Sequence, residues 1–389
     1  MNRIYIFTGK GGVGKTSCAA AHALKSAEEG ISTLLVSTDM AHNLSDLFEV
    51  KLEKEPKQIC VNLEVLEIDP NYVIETDFAE MIKCLTNLLP ETGDMEMEEF
   101  GLLPGIDELF SLLKIKELYQ TGKYQRIIVD CAPTGETLSL LKLPELLSWY
   151  VEKFFPLGKV AMRVLSPFAK KLYKVELPGK QAMNDIEKFY LKLYELQELL
   201  KDRRCTSVRL VTLPEKMVVE ETKRNYMYMN LYNFNVDGIY INRLLPSDMK
   251  NPFFKEWLQI QEKYKNEIMD SFHALPIFEI PWYDEELKGI KAVSRISKDA
   301  LNGDVFATKE ITEKEYFEEN EKGYVLKVKV PFVEKSAISL YQAQTDVVVR
   351  IGNFKRNIPL PNVLRSYFIT SAKMEQDELL IQFEKEEKQ

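Results

Sequence analysis

The sequence predicts an α/β fold, a mostly parallel sheet with a helical insert, followed by a small all-β sandwich. Three observations predict it. The apolar run Ile4-Tyr5-Ile6-Phe7 leads into a glycine-rich segment and then a helical pattern, the strand–loop–helix unit of a parallel sheet. Two further buried-strand patterns, over 32–37 and 125–130, each run into an acidic residue, Asp39 and Asp130. Beyond residue 323 the apolar pattern changes period to short strands separated by turns. Together these describe a P-loop type of nucleotide-binding domain over 1–300, a polar linker over 301–322 and a β module over 323–389.

The glycine-rich segment reads Gly9-Lys10-Gly11-Gly12-Val13-Gly14-Lys15-Thr16-Ser17, which is G-x-x-x-x-G-K-T between a strand and a helix. Its glycines let backbone N–H groups curl around phosphate oxygens. Lys15 supplies a compact positive charge and Thr16 a hydroxyl for Mg²⁺. The second lysine, Lys10, stands at the front of the loop, where Lys15 already fills the in-loop phosphate position.

Asp39 follows the strand at 32–37 at the edge where ligands bind in open α/β sheets. It suits either orientation of the water that attacks a terminal phosphate or the capping of the next helix. A strand over 61–68 and a helix over 70–89 come next, then an acidic stretch over 91–99 that suits a mobile loop or a short frayed helix. The strand at 125–130 closes on Asp130 in the manner of a Walker B element, whose carboxylate serves Mg²⁺ or its water. The turn after it, with Pro133 and Gly135, is a candidate switch for a γ-phosphate. Helical inserts are expected over about 70–120 and 149–204, the second ending in a long charged helix at 181–201.

Composition limits the partners. The net charge of −9 opposes nucleic-acid binding and adhesion to anionic lipid, and no apolar run reaches the ~18 residues of a membrane span. A cytoplasmic protein without direct membrane insertion is expected. The five cysteines, Cys18, Cys60, Cys84, Cys131 and Cys205, include no C-x-x-C pair, the pattern of reduced thiols rather than of disulfides or a zinc site.

These segments resemble the ArsA family of deviant-Walker-A ATPases, which includes arsenical pump-driving ATPases and the targeting factor for tail-anchored membrane proteins. The likeness rests on GKGGVGKT with its extra Lys10, DMAHNLSD from Asp39, MEMEEFGLLPGIDE ending at Glu108, and DCAPTGETLSLLKLP from Asp130. It implies ATP and Mg²⁺ as cofactors, with Thr16 and Asp130 serving the metal and Asp39 positioning the attacking water. It implies that Lys10 reaches across a homodimer to the partner's phosphates. The likeness extends to VRLVTLPE, GIYINRLLP and IPWYDEELKG, which implies nucleotide contacts by Glu215 and Asn242 and a loop over the base at Pro281. Read alone, Asn242 suits a cap as well as a ligand. No N-K-x-D guanine reader is present, which favours ATP over GTP. Met40, Cys131 and Glu136 depart from the family's usual proline, threonine and histidine, and the zinc C-x-x-C of eukaryotic targeting factors is absent.

Between 149 and 174, Phe154, Phe155, Leu157, Ala161, Val164 and Phe168 give a broad apolar helical face. By resemblance this insert forms a groove for a hydrophobic, tail-anchored client. As a stripe alone it equally suits a helix packed into its own core. The β module, with strands at 324–330, 338–343, 346–351, 354–358 and 379–383 and a charged tail at 384–389, resembles the α-crystallin-like (small heat-shock-like) domain of some ArsA ATPases. It carries no catalytic constellation, so binding or dimer support is its expected role. The expected activity is a dimeric Mg-dependent ATPase that captures or releases a hydrophobic client. The alternatives are an arsenite-stimulated subunit of an efflux pump and, third, a partitioning ATPase.

Overall fold

The structure, a computed structural model, describes residues 2–39, 43–79, 106–131, 180–307, 314–343 and 346–385. Among the described residues the strands form one eight-stranded sheet and two smaller sheets. In chain order the large sheet is built from β1 (Arg3–Thr8), β2 (Thr33–Ser37), β3 (Lys57–Cys60), β4 (Leu63–Glu67), β5 (Arg126–Asp130), β6 (Thr206–Thr212), β7 (Val236–Leu244) and β8 (Ile277–Pro281). Its strand order is β3-β4-β2-β5-β1-β6-β7-β8. The helices α1 (Lys15–Glu28), α2 (Asn43–Phe48), α3 (Pro70–Thr76), α4 (Ile106–Gln120), α5 (Lys180–Lys201), α6 (Lys216–Leu231), α7 (Lys255–Ser271) and α8 (Gly289–Ala300) lie between or after these strands in the chain, with none between β3 and β4. The chain divides into two compact units: Met1–Ile6, Ala19–Cys205 and Leu287–Ser294 in one, Phe7–Cys18, Thr206–Glu286 and Arg295–Gln389 in the other.

In the first unit β2 (TLLVS) is buried along its whole length, as a strand covered on both faces must be. It pairs in parallel with β4 on one side and β5 on the other. The short β3 pairs antiparallel with β4 at the sheet edge. The helix expected over 70–89 first ends at Thr76, where the Asp77 and Phe78 amides both turn back to the Val73 carbonyl. Phe78 buries against Phe110 of α4, their ring centroids 5.1 Å apart.

In the second unit β6, β7 and β8 pair in parallel. Arg209 of β6 is 2% exposed. Its guanidinium donates to the Tyr240 hydroxyl at 2.9 Å and pairs with Asp237 at 3.3 Å, so a buried charge is matched inside the sheet. Burial pushes the Tyr240 phenol well above its usual range.

The C-terminal module has two antiparallel sheets. One has the order β14-β15-β10-β9, from β9 (Glu315–Asn320), β10 (Gly323–Lys329), β14 (Tyr367–Glu375) and β15 (Glu378–Lys385). The other is β11 (Ile338–Gln342), β12 (Asp346–Ile351) and β13 (Phe354–Pro359). Leu326, Val328, Val347, Val349, Ile358, Ile381 and Phe383 are buried, the inward set of a small sandwich. Of the stretch 301–322, expected to be a polar linker, the structure describes 301–307 and 314–322. Leu301, Val305 and Phe306 are buried, and β9 pairs with β10 in register. The strand was hidden because Glu315, Glu318 and Glu319 give it the charge of an edge strand, not the alternation of a core one.

This module is fastened to α6. The Tyr228 and Phe354 rings meet, and the Tyr232 hydroxyl donates to the Lys355 carbonyl at 3.2 Å. Arg356 donates to the carbonyl of Leu231, the last residue of α6, and pairs with Glu315 at 2.5 Å. At 5% exposure Arg356 thus links helix, β9 and β13. Arg356→Ala is expected to destabilise the chain by about 3 kcal/mol, because it strands a largely desolvated carboxylate and a helix-terminal carbonyl. Urea unfolding checks this, and Arg356→Lys should recover part of the loss. An unfolding midpoint equal to wild type would remove Arg356 from this role.

Candidate nucleotide site

The second unit brings the predicted loop, Glu215, Asn242 and Pro281 into one body. The loop begins where β1 ends and closes where α1 begins at Lys15. Two of its glycines cannot be replaced without moving the backbone. A Cβ on Gly9 would lie 2.2 Å from the Val211 carbonyl oxygen, and one on Gly14, at φ +90°, 2.2 Å from Asn242 Nδ2. Gly12 also has positive φ, and a Cβ there would meet nothing within 4 Å. Gly11 is likewise open on its outer side. The loop is held tightly underneath and open above, which fits a phosphate cradle.

Lys15 is 9% exposed, and its Nζ donates to the Lys10 carbonyl across the loop at 3.3 Å. Lys10 differs. Its side chain is 39% exposed and its Nζ pairs with Glu221 of α6 at 3.1 Å. Val13 is buried and its carbonyl accepts from Asn242 Nδ2 at 2.8 Å. The Asn242 Oδ1 accepts from the Arg243 N–H at 2.9 Å, so this side chain ties β7 to the loop. Glu215 is exposed at the N-cap of α6 and makes no side-chain cap bond. Pro281 closes β8 opposite Leu244, and the Trp282 N–H returns to the Leu244 carbonyl at 2.8 Å. Thr16 and Ser17 lie half-buried in the first turn of α1.

The first unit holds the two acids. Asp130 ends β5 at 1% exposure, and its carbonyl accepts from the Thr38 N–H at 3.1 Å. Asp39 is half-buried; its N–H donates to Ser37 Oγ at 3.2 Å, and its Oδ2 accepts from Asn43 Nδ2 at 3.0 Å. Ser37 and Asp130 are register partners, so both acids stand at the carboxyl edge of one parallel pair. The Thr16 hydroxyl and Asp130 carboxylate are hard oxygen donors of the kind Mg²⁺ takes.

Sequence reasoning missed Glu221 as the partner of Lys10 and Glu67 as the partner of Leu44 and Ser45 in the first turn of α2. Neither lies in a spacing motif, since each acts through contacts made only in the fold. The turn with Pro133 and Gly135, the predicted client residues Phe154, Phe155, Leu157, Ala161, Val164 and Phe168, and Met40, Cys84 and Glu136 lie outside the described residues. Among the described residues no helix is long and apolar enough to cross a membrane.

A family model described as anion-transporting ATPase matches residues 2–302, and one described as an HSP20-like domain found in ArsA matches residues 321–383. The putative arsenical pump-driving ATPase 1 of Aquifex aeolicus is 36% identical over 396 residues, spanning 97% of this chain and 99% of that protein. ATPase GET3C of Arabidopsis thaliana is 30% identical over 316 residues, 75% of this chain and 80% of its own length. A similar protein of Prosthecochloris vibrioformis, named putative arsenical pump-driving ATPase, is 36% identical over 366 residues. The chain therefore belongs to the ArsA family of anion-transporting ATPases, and is an ATP hydrolase that carries an HSP20-like C-terminal domain.

Proposed function

We propose that this ATPase works as a homodimer whose ATP cycle captures and releases a hydrophobic client, in the manner of a tail-anchored protein targeting factor. The observation that carries the dimer is the division of labour between two lysines. Lys15 already fills the in-loop position, whereas the half-exposed Lys10 is held outside it by one ion pair. A second cation so placed suits phosphates presented by a facing subunit.

In this reading the backbone N–H groups of the loop from Gly12 to Thr16 bind the triphosphate, and Lys15 exchanges the Lys10 carbonyl for a phosphate oxygen. Thr16 and Asp130 would hold Mg²⁺, which when bound neutralises charge on the β- and γ-phosphates. Asp39 orients the attacking water and accepts its proton as the γ-phosphoryl leaves the β-phosphate oxygen. Asn242 braces the loop through Val13, and Glu215 and Pro281 border the nucleoside. The similarity to GET3C and the apolar stretch at 149–174 support the client class.

The alternative, a metalloid-stimulated pump subunit, is favoured by the likeness to relatives named putative arsenical pump-driving ATPases. Its soft ligands would be thiolates. Burial pushes the Cys60 and Cys205 thiols up, away from the thiolate form. Co-purification with a tail-anchored substrate, with and without ATP, beside an arsenite-stimulated ATPase assay separates the two. ATP-dependent capture that disappears on deletion of 149–174 is the expected result. Capture indifferent to that deletion would sink the client assignment, and arsenite stimulation without capture would favour the pump.

A further inference from the structure

Glu67 has no part in the steps above, yet it holds the segment that carries Asp39. It closes β4 at 9% exposure. Its Oε1 accepts from the Leu44 N–H at 2.8 Å and the Ser45 N–H at 3.0 Å, and its Oε2 accepts from the Ser45 hydroxyl at 2.6 Å. Those donors form the first turn of α2, which begins at Asn43. Asn43 in turn donates its amide to Asp39 Oδ2 at 3.0 Å. One carboxylate is thereby connected to the other through a single helical turn.

The placement follows from strand register. Ser37, at the end of β2, is aligned with Glu67 on β4 and with Asp130 on β5. The chain leaving β2 is fastened on both sides: the Ile68 N–H donates to the Ser37 carbonyl at 3.0 Å, and the Thr38 N–H to the Asp130 carbonyl at 3.1 Å. A cap drawn from the helix's own preceding residue would fix only where α2 starts. A cap reaching in from the neighbouring strand fixes where α2 lies on the sheet edge, and so where Asn43 presents its amide.

We propose that Glu67 is a positioning residue for ATP hydrolysis, which through α2 and Asn43 holds the Asp39 carboxylate in its working orientation. The proposal rests on the assignment of Asp39 to the attacking water. Orientation of a reacting group is worth much rate for small displacements, so Glu67→Ala is expected to lower kcat on the order of 100-fold. The Kd for ATP should stay within about threefold, since no bond to the phosphate loop is lost. Glu67→Gln keeps a carbonyl oxygen for the two amides and offers Ser45 a donor in place of an acceptor, so it should recover most of the lost kcat.

The test measures kcat and ATP Kd of the full chain for Glu67→Ala, Glu67→Gln, Asp39→Asn and the Glu67→Ala/Asp39→Asn double variant. If Glu67 acts through Asp39, the double variant turns over no more slowly than Asp39→Asn alone. Wild-type kcat in Glu67→Ala, a fall in affinity that matches the fall in kcat, no recovery in Glu67→Gln, or an additive double variant would each overturn the proposal. Wild-type turnover in Asp39→Asn would instead overturn the assignment of Asp39.

Discussion

Asp39→Asn is expected to lower ATP turnover by roughly 10²- to 10⁴-fold, the range contributed by a positioned general base, while ATP binding persists. The substitution keeps the size of the side chain and an oxygen that accepts from the Asn43 amide, whose bond to Asp39 Oδ2 is 3.0 Å. What it removes is the negative charge that draws a proton from water. The proposed phosphate-binding groups are elsewhere in the chain, in the loop from Gly9 to Ser17, and are untouched by the change. Phosphate release gives turnover, and equilibrium binding of ATP supplies the control. A variant hydrolysing at the wild-type rate would take Asp39 out of the reaction.

The strands that sequence reading missed share a place in their sheets. β1, β2, β4 and β5 are interior to the large sheet and read as strands because apolar residues fill them, whereas β6 and β7, also interior, fall on segments singled out by the family resemblance. β3, β8, β9 and β14 escaped notice, and all four stand at sheet edges. An edge strand buries little and carries charge to discourage further pairing, so KQIC and EYFEEN look like loop and linker. The sandwich was legible from β10, β12 and β15, whose buried residues alternate or run together.

The site divides along similar lines. The phosphate loop was legible because its constraints are local: Gly9 and Gly14 are demanded by backbone approach within a few ångströms. Asn242 was legible as a position and not as a bond, since its contact to Val13 O joins segments far apart in the chain. Glu67 and Glu221 were illegible for the same reason. Each looks like an ordinary surface acid in sequence and acquires its meaning from a register or a helix face.

Lys10 offers the sharpest test of the proposed dimer. Its ion pair with Glu221 is 3.1 Å long with both side chains about one-third exposed or more, a class of pair that contributes only about 0–1 kcal/mol. So weak a tether is easily exchanged for a triphosphate, a far denser negative charge. Lys10→Ala should therefore leave ATP binding through Lys15 in place and lower turnover by on the order of 10³-fold, the scale of a cation supplied in trans to a transferring phosphoryl group. The decisive arm mixes two inactive proteins, Lys10→Ala and Asp39→Asn, under conditions that exchange subunits. In a mixed dimer the Lys10→Ala subunit keeps its own Asp39 and receives an intact Lys10 from its partner, so one site is complete and turnover returns. If Lys10 served its own subunit, neither site in that dimer would be complete. A mixture as inactive as its components, with subunit exchange verified by differently tagged chains, would show that Lys10 acts in cis and remove the main reason for expecting two subunits.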